Sequence, residues 1–351
     1  MIAMEKLIDK RDLEKFFNDL KEEYEIIGPT LKGGGTAQYS YTTFAPINKF
    51  EELMLDYTTT MVSPKNIFFP NNQVLYKFEK DSDGNITVED VGDEWREKRV
   101  FFGMHPCDIS ALLRIDKVLL EEDFDDKRYR NKRENCIIIG ITCNEPHQTC
   151  FCSTSGAGPD IEIGYDLLFT DIGEYYFVRA GTDIGEKLLS SDYFKKASRK
   201  DKEKRDNQIE MVNNALPEKL DIEKIAQNIS DCDLDTLLSE FTNQCFTCGA
   251  CNMVCPTCHC FSVVERVNPE RTKGSRNLTW DSCHYEKFAT MAGNVNVRPD
   301  VKDRFRHRVL DKFYYDATRY GTAFCVGCGR CRDFCPGHMS IRDAAKKIQE
   351  G

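Results

Sequence analysis

The stretch CFTCGACNMVCPTCHC, residues 245 to 260, holds six cysteines in sixteen positions. A second stretch, CVGCGRCRDFCP at residues 325 to 336, repeats the spacing of the first four. Each reads C-x2-C-x2-C-x3-C-P, a spacing that suits two iron–sulfur cubanes held between matched loops. Three thiolates on a tight loop each reach one iron of a single cubane. The fourth, just ahead of a proline that turns the chain, reaches the other cluster. That rule assigns Cys245, Cys248, Cys251 and Cys335 to one 4Fe-4S cluster, and Cys325, Cys328, Cys331 and Cys255 to a second. The small residues Gly249, Ala250, Gly327 and Gly329 let backbone amides approach the inorganic sulfides. Structural zinc also uses C-x2-C, but it closes with two pairs and needs no run of four ending in proline. Iron–sulfur is the better reading.

Composition agrees. The chain has 351 residues, enough for two domains, and 17 cysteines. No run approaches the length of apolar sequence that spans a bilayer. The opening MIAMEKLIDKRDLEKFF has no apolar core of a signal peptide, so a cytoplasmic chain is expected. Cytosolic cysteines stay reduced, which disfavours disulfides and favours metal ligation. Acidic residues outnumber basic ones by 58 to 48, against a nucleic-acid partner.

Outside the cysteine runs the pattern is mixed. Leu13, Phe16, Phe17, Leu20 and Tyr24 recur at helical spacing and predict a helix over 9–25, with Asp9 as its cap. YEIIGPT and KNIFFP read as short strands. KRVFFGM, then DISALLRIDKVLL, then NCIIIGIT read as strand, helix and strand, suggesting an α/β unit with a mostly parallel sheet. KKASRKDKEKR carries seven basic residues in eleven and reads as a solvated helix or linker. The expected division is an α/β domain at 1–195, a charged helical linker at 196–234, and an α-helical ferredoxin domain at 235–351. The insert between the two cysteine runs, 256–324, reads as helical. Phe305, Val309, Phe313 and Ala317 share a face before Gly321, and Ser340 with Asp343 has capping-box spacing.

Cys107 and Cys143 each stand just past the end of an apolar strand, and Cys150 and Cys152 follow in CFC. If the two strands are parallel neighbours, all four thiols meet at the carboxyl edge of the sheet, where α/β folds place ligands. The set is a candidate third centre, a cluster or a zinc ion, against the alternative that buried cysteine packs as a small apolar residue. Cys258, Cys260 and Cys283 crowd the first run, with His259 between two of them, and read as packing beside it, against the alternative of a zinc or labile extra site. Cys136 and Cys232 stand apart. His105 and His284 read as hydrogen-bond partners of neighbouring groups. Gly156 and Gly158 form a lone G-x-G, with Ile161 where a dinucleotide fingerprint needs glycine. The chain has wiring but no visible flavin, nicotinamide or hydrolytic site of its own.

CFTCGACNMVCPTCHCFSV, WDSCHYEKFATMAGN, DRFRHRVLDKF and FCVGCGRCRDFCP, with GMHPCDISALLRIDKVLL, IIIGITCNE and TCFCSTSG from the first half, carry a family resemblance. The chain resembles the β subunit of cytosolic nickel–iron sulfhydrogenases and the corresponding iron–sulfur subunit of anaerobic sulfite reductases. IIIGITCNE and DRFRHRVL look closer to the hydrogenase branch. The resemblance spans nearly the whole chain, and both ferredoxin quartets match its pattern without a gap. It implies cysteines equivalent to Cys107, Cys143, Cys150 and Cys152, which favours a third metal centre there, a 4Fe-4S cluster or a zinc ion. It also implies a subunit that relays electrons between a flavin- and NAD(P)-binding partner and a catalytic partner, with no catalytic residue of its own. Two other readings stand beside it: a terminal reductase working at the Cys107 set, and a zinc-stabilised scaffold.

Overall fold

The computed structural model describes residues 4–33, 40–91, 98–121, 123 and 125–351. The first half is built on an eight-stranded sheet. Its strands are β1 (Glu5–Asp9), β2 (Glu25–Gly33), β3 (Ser40–Pro46), β6 (Arg99–Met104), β7 (Cys136–Ile141), β8 (Leu167–Asp171), β9 (Tyr175–Ala180) and β10 (Phe194–Lys196), while β4 (Asn72–Lys80) and β5 (Ile86–Asp90) belong to a second sheet. The order across the large sheet is β10-β1-β9-β8-β7-β6-β2-β3.

This sheet is mixed, which corrects the expectation of a mostly parallel one. The central strands β2, β6, β7 and β8 run parallel, and the flanking pairs β2–β3, β8–β9, β1–β9 and β1–β10 run antiparallel. The reason is connection length. Only Ile172 to Glu174 join β8 to β9, and so short a link can only reverse the chain. By contrast, the helix Pro106–Leu119 carries the chain across between β6 and β7. Leu168 and Phe169, like Val100 and Phe101, are neighbours in sequence and both buried, because the parallel centre is covered on both faces. One face packs Phe16, Phe17, Leu20, Phe102 and Ile139. The other packs Phe68, Phe101, Ile109, Leu112 and Ile138.

The N-terminal helix is shorter than its periodicity suggests. Residues 5–9 are the inner strand β1, Asp9 caps a 3-10 turn, and the α-helix is Leu13–Glu23. KNIFFP is no strand: Lys65–Phe68 form one helical turn after Pro64, with Phe68 and Phe69 both buried.

The insert between the cysteine runs corrects a second expectation. Instead of beginning as helix it forms the hairpin β11 (Phe261–Val267) and β12 (Lys273–Trp280), then a small hairpin of β13 (Thr290–Met291) and β14 (Val295–Asn296). β12 pairs antiparallel with β4, giving the order β11-β12-β4-β5. Strands from either side of the charged segment thus share one sheet. Helix follows at Val301–Leu310, continues through a π-helical stretch at Asp311–Tyr315 and ends at Tyr320, with Gly321 in the left-handed region as its cap. The charged segment is itself helical at Arg199–Ala215, capped by Ser198. The terminal helix Ile341–Glu350 is capped by the Ser340 hydroxyl, which accepts from the Asp343 amide at 3.1 Å. Its buried face, Ile341, Ala344, Ala345 and Ile348, packs with Ile225, Phe305, Val309 and Phe313. Among the described residues no helix is long and apolar enough to cross a membrane.

Candidate metal centres

The two cysteine runs fold alike. Thr247 and Gly327, each the residue before the second cysteine, have φ of 52° and 63°, and Gly249 and Gly329, each the residue after it, both have φ of 74°. One helical turn follows in each case, Ala250–Met253 and Arg330–Asp333. The Cys255 amide then bonds the Asn252 carbonyl at 3.3 Å, and the Cys335 amide bonds the Arg332 carbonyl at 3.3 Å. Such left-handed turns direct successive amides into the concavity of the loop, the arrangement that favours anionic sulfur. The Thr247 amide donates to the Cys245 sulfur at 3.4 Å.

The quartets expected from spacing meet in space as follows. Cys255 lies within electrostatic reach of Cys325, Cys328 and Cys331, across 70 residues of chain and more. Cys245 lies within reach of both Cys248 and Cys335, and Cys251 within reach of Cys245. Burial pushes the thiols of Cys251 and Cys331 up to about 11 and that of Cys328 up to about 12. Cys248 alone among the quartets is exposed. A hydrogen bond from Cys258 makes Cys255 the more acidic of that pair, and the nearby Lys312 and Arg308 act in the same direction.

The third set also meets. β6 and β7 are parallel neighbours, so Cys107 and Cys143 emerge at the same edge. Cys107, Cys143, Cys150 and Cys152 line one cavity together with His105, His147, Cys328 and Arg330. Burial is the main cause that raises all four thiols, those of Cys150 and Cys152 to about 12. The loop bearing them rests on the second cysteine run. The Phe151 amide donates to the Gly327 carbonyl at 2.7 Å, and Thr149 Oγ1 donates to Asp333 at 3.1 Å. The approach is so close that a Cβ on Gly327 would lie 2.5 Å from the Phe151 carbonyl oxygen, and one on Gly329 would lie 2.1 Å from Thr149 Oγ1.

Cys260 and Cys283 hydrogen-bond each other, and Asn252 Nδ2 donates to Cys283 at 3.0 Å. His284 Nδ1 stands 3.9 Å from the Cys245 sulfur, while His105 stacks on Tyr57 at 3.9 Å between ring centres. Cys136 sits beside Arg133, away from the other thiols. What spacing did not disclose is a set of buried cations. Lys65, Arg308, Lys312 and Arg330 are each under 5% exposed. Lys65 Nζ donates to the Cys258 carbonyl at 2.8 Å and lies 3.8 Å over the Trp280 ring. The one sequence signal for them was position: Arg330 stands between two cysteines, and Arg308 and Lys312 are four apart on one helix.

These donors fit cubanes better than single ions. Around zinc, thiolate sulfurs sit about 3.8 Å apart, the tetrahedral edge implied by a bond of about 2.3 Å. Among the described residues no three His, Cys, Asp or Glu groups converge in a way that could hold one metal ion. A cubane spreads its four thiolates around a wider cage, and all-cysteine sets on loops with amides turned inward suit it.

Residues 244–339 match a family model described as a 4Fe-4S dicluster domain. Sulfhydrogenase 2 subunit beta of Pyrococcus furiosus is 32% identical to this chain over 339 residues, covering 96% of each. No solved structure gives a significant match.

Proposed function

The chain belongs to the sulfhydrogenase β-subunit family, and on that premise we propose that it relays electrons inside a cytoplasmic multi-subunit oxidoreductase. The relay runs between a flavin- and NAD(P)-binding partner and a catalytic partner. Cys245, Cys248, Cys251 and Cys335 would hold one 4Fe-4S cluster, and Cys325, Cys328, Cys331 and Cys255 a second. Cys107, Cys143, Cys150 and Cys152 would hold a third. When bound, such clusters supply one-electron carriers whose potentials follow charge, hydrogen bonding and exposure.

The protein's own part is to hold these sets in series and keep water from them. The observation that carries the reading is Cys328. It lies within reach of Cys255 and Cys331 on one side and of Cys107 and Cys150 on the other. The exposed Cys248 gives the first quartet an open side where a partner's redox centre can approach. The second quartet, with Cys328 buried and Cys255, Cys325 and Cys331 half-buried, would then stand between that side and the Cys107 set.

The test is the full chain purified without oxygen. It should be brown, carry acid-labile sulfide with about eight to twelve irons, and show cluster EPR signals on reduction. Affinity capture should recover a flavin-bearing chain and a catalytic chain. The isolated chain should neither evolve hydrogen nor reduce sulfite. A colourless, iron-poor preparation would end the relay reading, and zinc in place of iron would favour a scaffold.

A further inference from the structure

We propose that Arg308 and Lys312 form a fixed cationic wedge between the two ferredoxin quartets, which raises the reduction potentials of both centres. The inference rests on the relay reading and adds to it the residues that set the driving force.

The two side chains are one helical turn apart, at the end of Val301–Leu310 and inside the π-helical stretch Asp311–Tyr315. They point the same way, into the cysteines. Arg308 is 4% exposed and Lys312 1%. Arg308 Nη2 donates to the Cys251 carbonyl at 3.2 Å, and Nη1 donates to Asn252 Oδ1 at 3.3 Å and to the Cys258 sulfur at 3.4 Å. Its guanidinium also lies within electrostatic reach of Cys331. It therefore touches the first run through Cys251 and reaches the second quartet at Cys331. Lys312 Nζ donates to the Thr257 carbonyl at 3.4 Å and faces Cys255 and Cys258, with Asp311 at 3.0 Å.

Charge bookkeeping makes this arrangement unusual. A buried cation is costly unless it meets negative charge. Among the described residues, the hydrogen-bond partners of Arg308 are one backbone carbonyl, one side-chain amide oxygen and one sulfur, none a carboxylate. The missing counter-charge is what two thiolate-bound cubanes would supply, since each is an anion and reduction adds one more negative charge. A cation fixed at that spot stabilises the reduced form more than the oxidised form, and in a dry setting the effect is strong.

The π-helical stretch anchors the wedge. The Lys312 carbonyl accepts from the amides of Phe324 at 2.9 Å and Cys325 at 3.4 Å, which ties the helix to the start of the second cysteine run. A π-helical turn inside an α-helix often marks a functional position. Here it leaves a carbonyl free for the cysteine loop while the side chain above it stays among the thiols.

The test is a redox titration, followed by EPR, of the full chain in its anaerobically purified complex. Three variants are compared at equal iron content: Arg308→Met, Arg308→Lys and Lys312→Met. Arg308→Met should lower the reduced-to-oxidised ratio of both ferredoxin centres about tenfold at a fixed potential, equivalent to about 59 mV for a one-electron couple. Lys312→Met should act mainly on the centre held by Cys255, Cys325, Cys328 and Cys331. Arg308→Lys, which keeps the charge, should stay near the parent. Unchanged potentials in both methionine variants would overturn the proposal. So would an Arg308→Lys shift as large as that of Arg308→Met, because shape rather than charge would then decide. Should Arg308→Met fail to load iron, Lys312→Met alone decides. A parent protein without iron would defeat the relay reading instead, and the two failures are distinct.

Discussion

Arg330 donates two parallel hydrogen bonds to Asp108, at 2.8 and 2.7 Å, and both side chains are fully buried. One residue lies between Cys328 and Cys331, the other directly follows Cys107. The same guanidinium also donates to the Thr60 carbonyl and hydroxyl, each at 2.8 Å. A single side chain of the second cysteine run thus closes the contact between the ferredoxin loops and the edge of the large sheet. Breaking a buried pair strands the remaining charge, at a cost of about 3–5 kcal/mol. Asp108→Asn or Arg330→Met should each lower stability by about that amount in denaturant melts. The double variant Asp108→Asn with Arg330→Met should lose clearly less than the sum, because neither charge is then left alone. Full additivity would count against this pair as the clasp.

Gly327 offers a cleaner probe of the same contact. Its φ of 63° and the 2.5 Å approach to Phe151 penalise a side chain twice over. Gly156 has nearly the same φ, 62°, but nothing within 4 Å of where a Cβ would stand. Gly156→Ala should therefore cost about 1 kcal/mol from backbone strain alone. Gly327→Ala should cost more, by about 1–3 kcal/mol for the overlap with Phe151. It should also expose the Cys150–Cys152 loop to limited proteolysis. Equal losses for the two alanines would mean the loop does not rest on the cysteine run.

Much of this was legible in the sequence, and what was missed shares a physical cause. RVFFGM and CIIIGI announce themselves as apolar runs because both faces of the parallel centre are covered, and this placed Cys107 and Cys143 at one edge. The first strand, EKLID, is too short for a period to emerge. KNIFF has strand-like residues, yet Lys65–Phe68 form one helical turn after Pro64, which local composition does not announce. The hairpin β11–β12 inverts the usual pattern, with Phe261, Val263 and Val267 exposed, so alternation gave no usable signal there. A parallel sheet was inferred from its central strands, while its antiparallel flanks depended on loop lengths. Lys65, Arg308, Lys312 and Arg330 escaped because a lone charge reads as surface, and only the folded cysteines give it a reason to be buried.

Iron stoichiometry tests the third cysteine set apart from the other two. Cys107 and Cys150 reach the cavity from different segments, so replacing both removes two of its donors while all eight cysteines of the ferredoxin quartets stay in place. The Cys107→Ala, Cys150→Ala pair should reduce bound iron by about four per chain and leave the signals of the ferredoxin centres in place. Cys136→Ala, whose sulfur sits beside Arg133 away from these sets, should leave iron content unchanged. No loss of iron in the paired variant would mean that those thiols only pack.

Acid and base should act in opposite directions on the loaded and the empty protein. In the empty chain, burial holds the thiols of Cys251 and Cys331 up to about 11 and that of Cys328 up to about 12, from an ordinary 9.0. At neutral pH these three groups keep their protons, yet a cluster binds thiolates, so loading must expel a proton from each of them. Raising the pH from about 7 to 9 should therefore strengthen retention against a chelator, with protons released into solution on reconstitution. The empty fold should do the reverse. Between about 9 and 11 its folded thiols bind more protons than unfolded ones, so its stability falls as pH rises through that window. Parallel chelator-release and urea-melt series across pH 7 to 10.5 would read both trends. A pH-independent loss of iron would show that the thiols are already ionised before a cluster arrives.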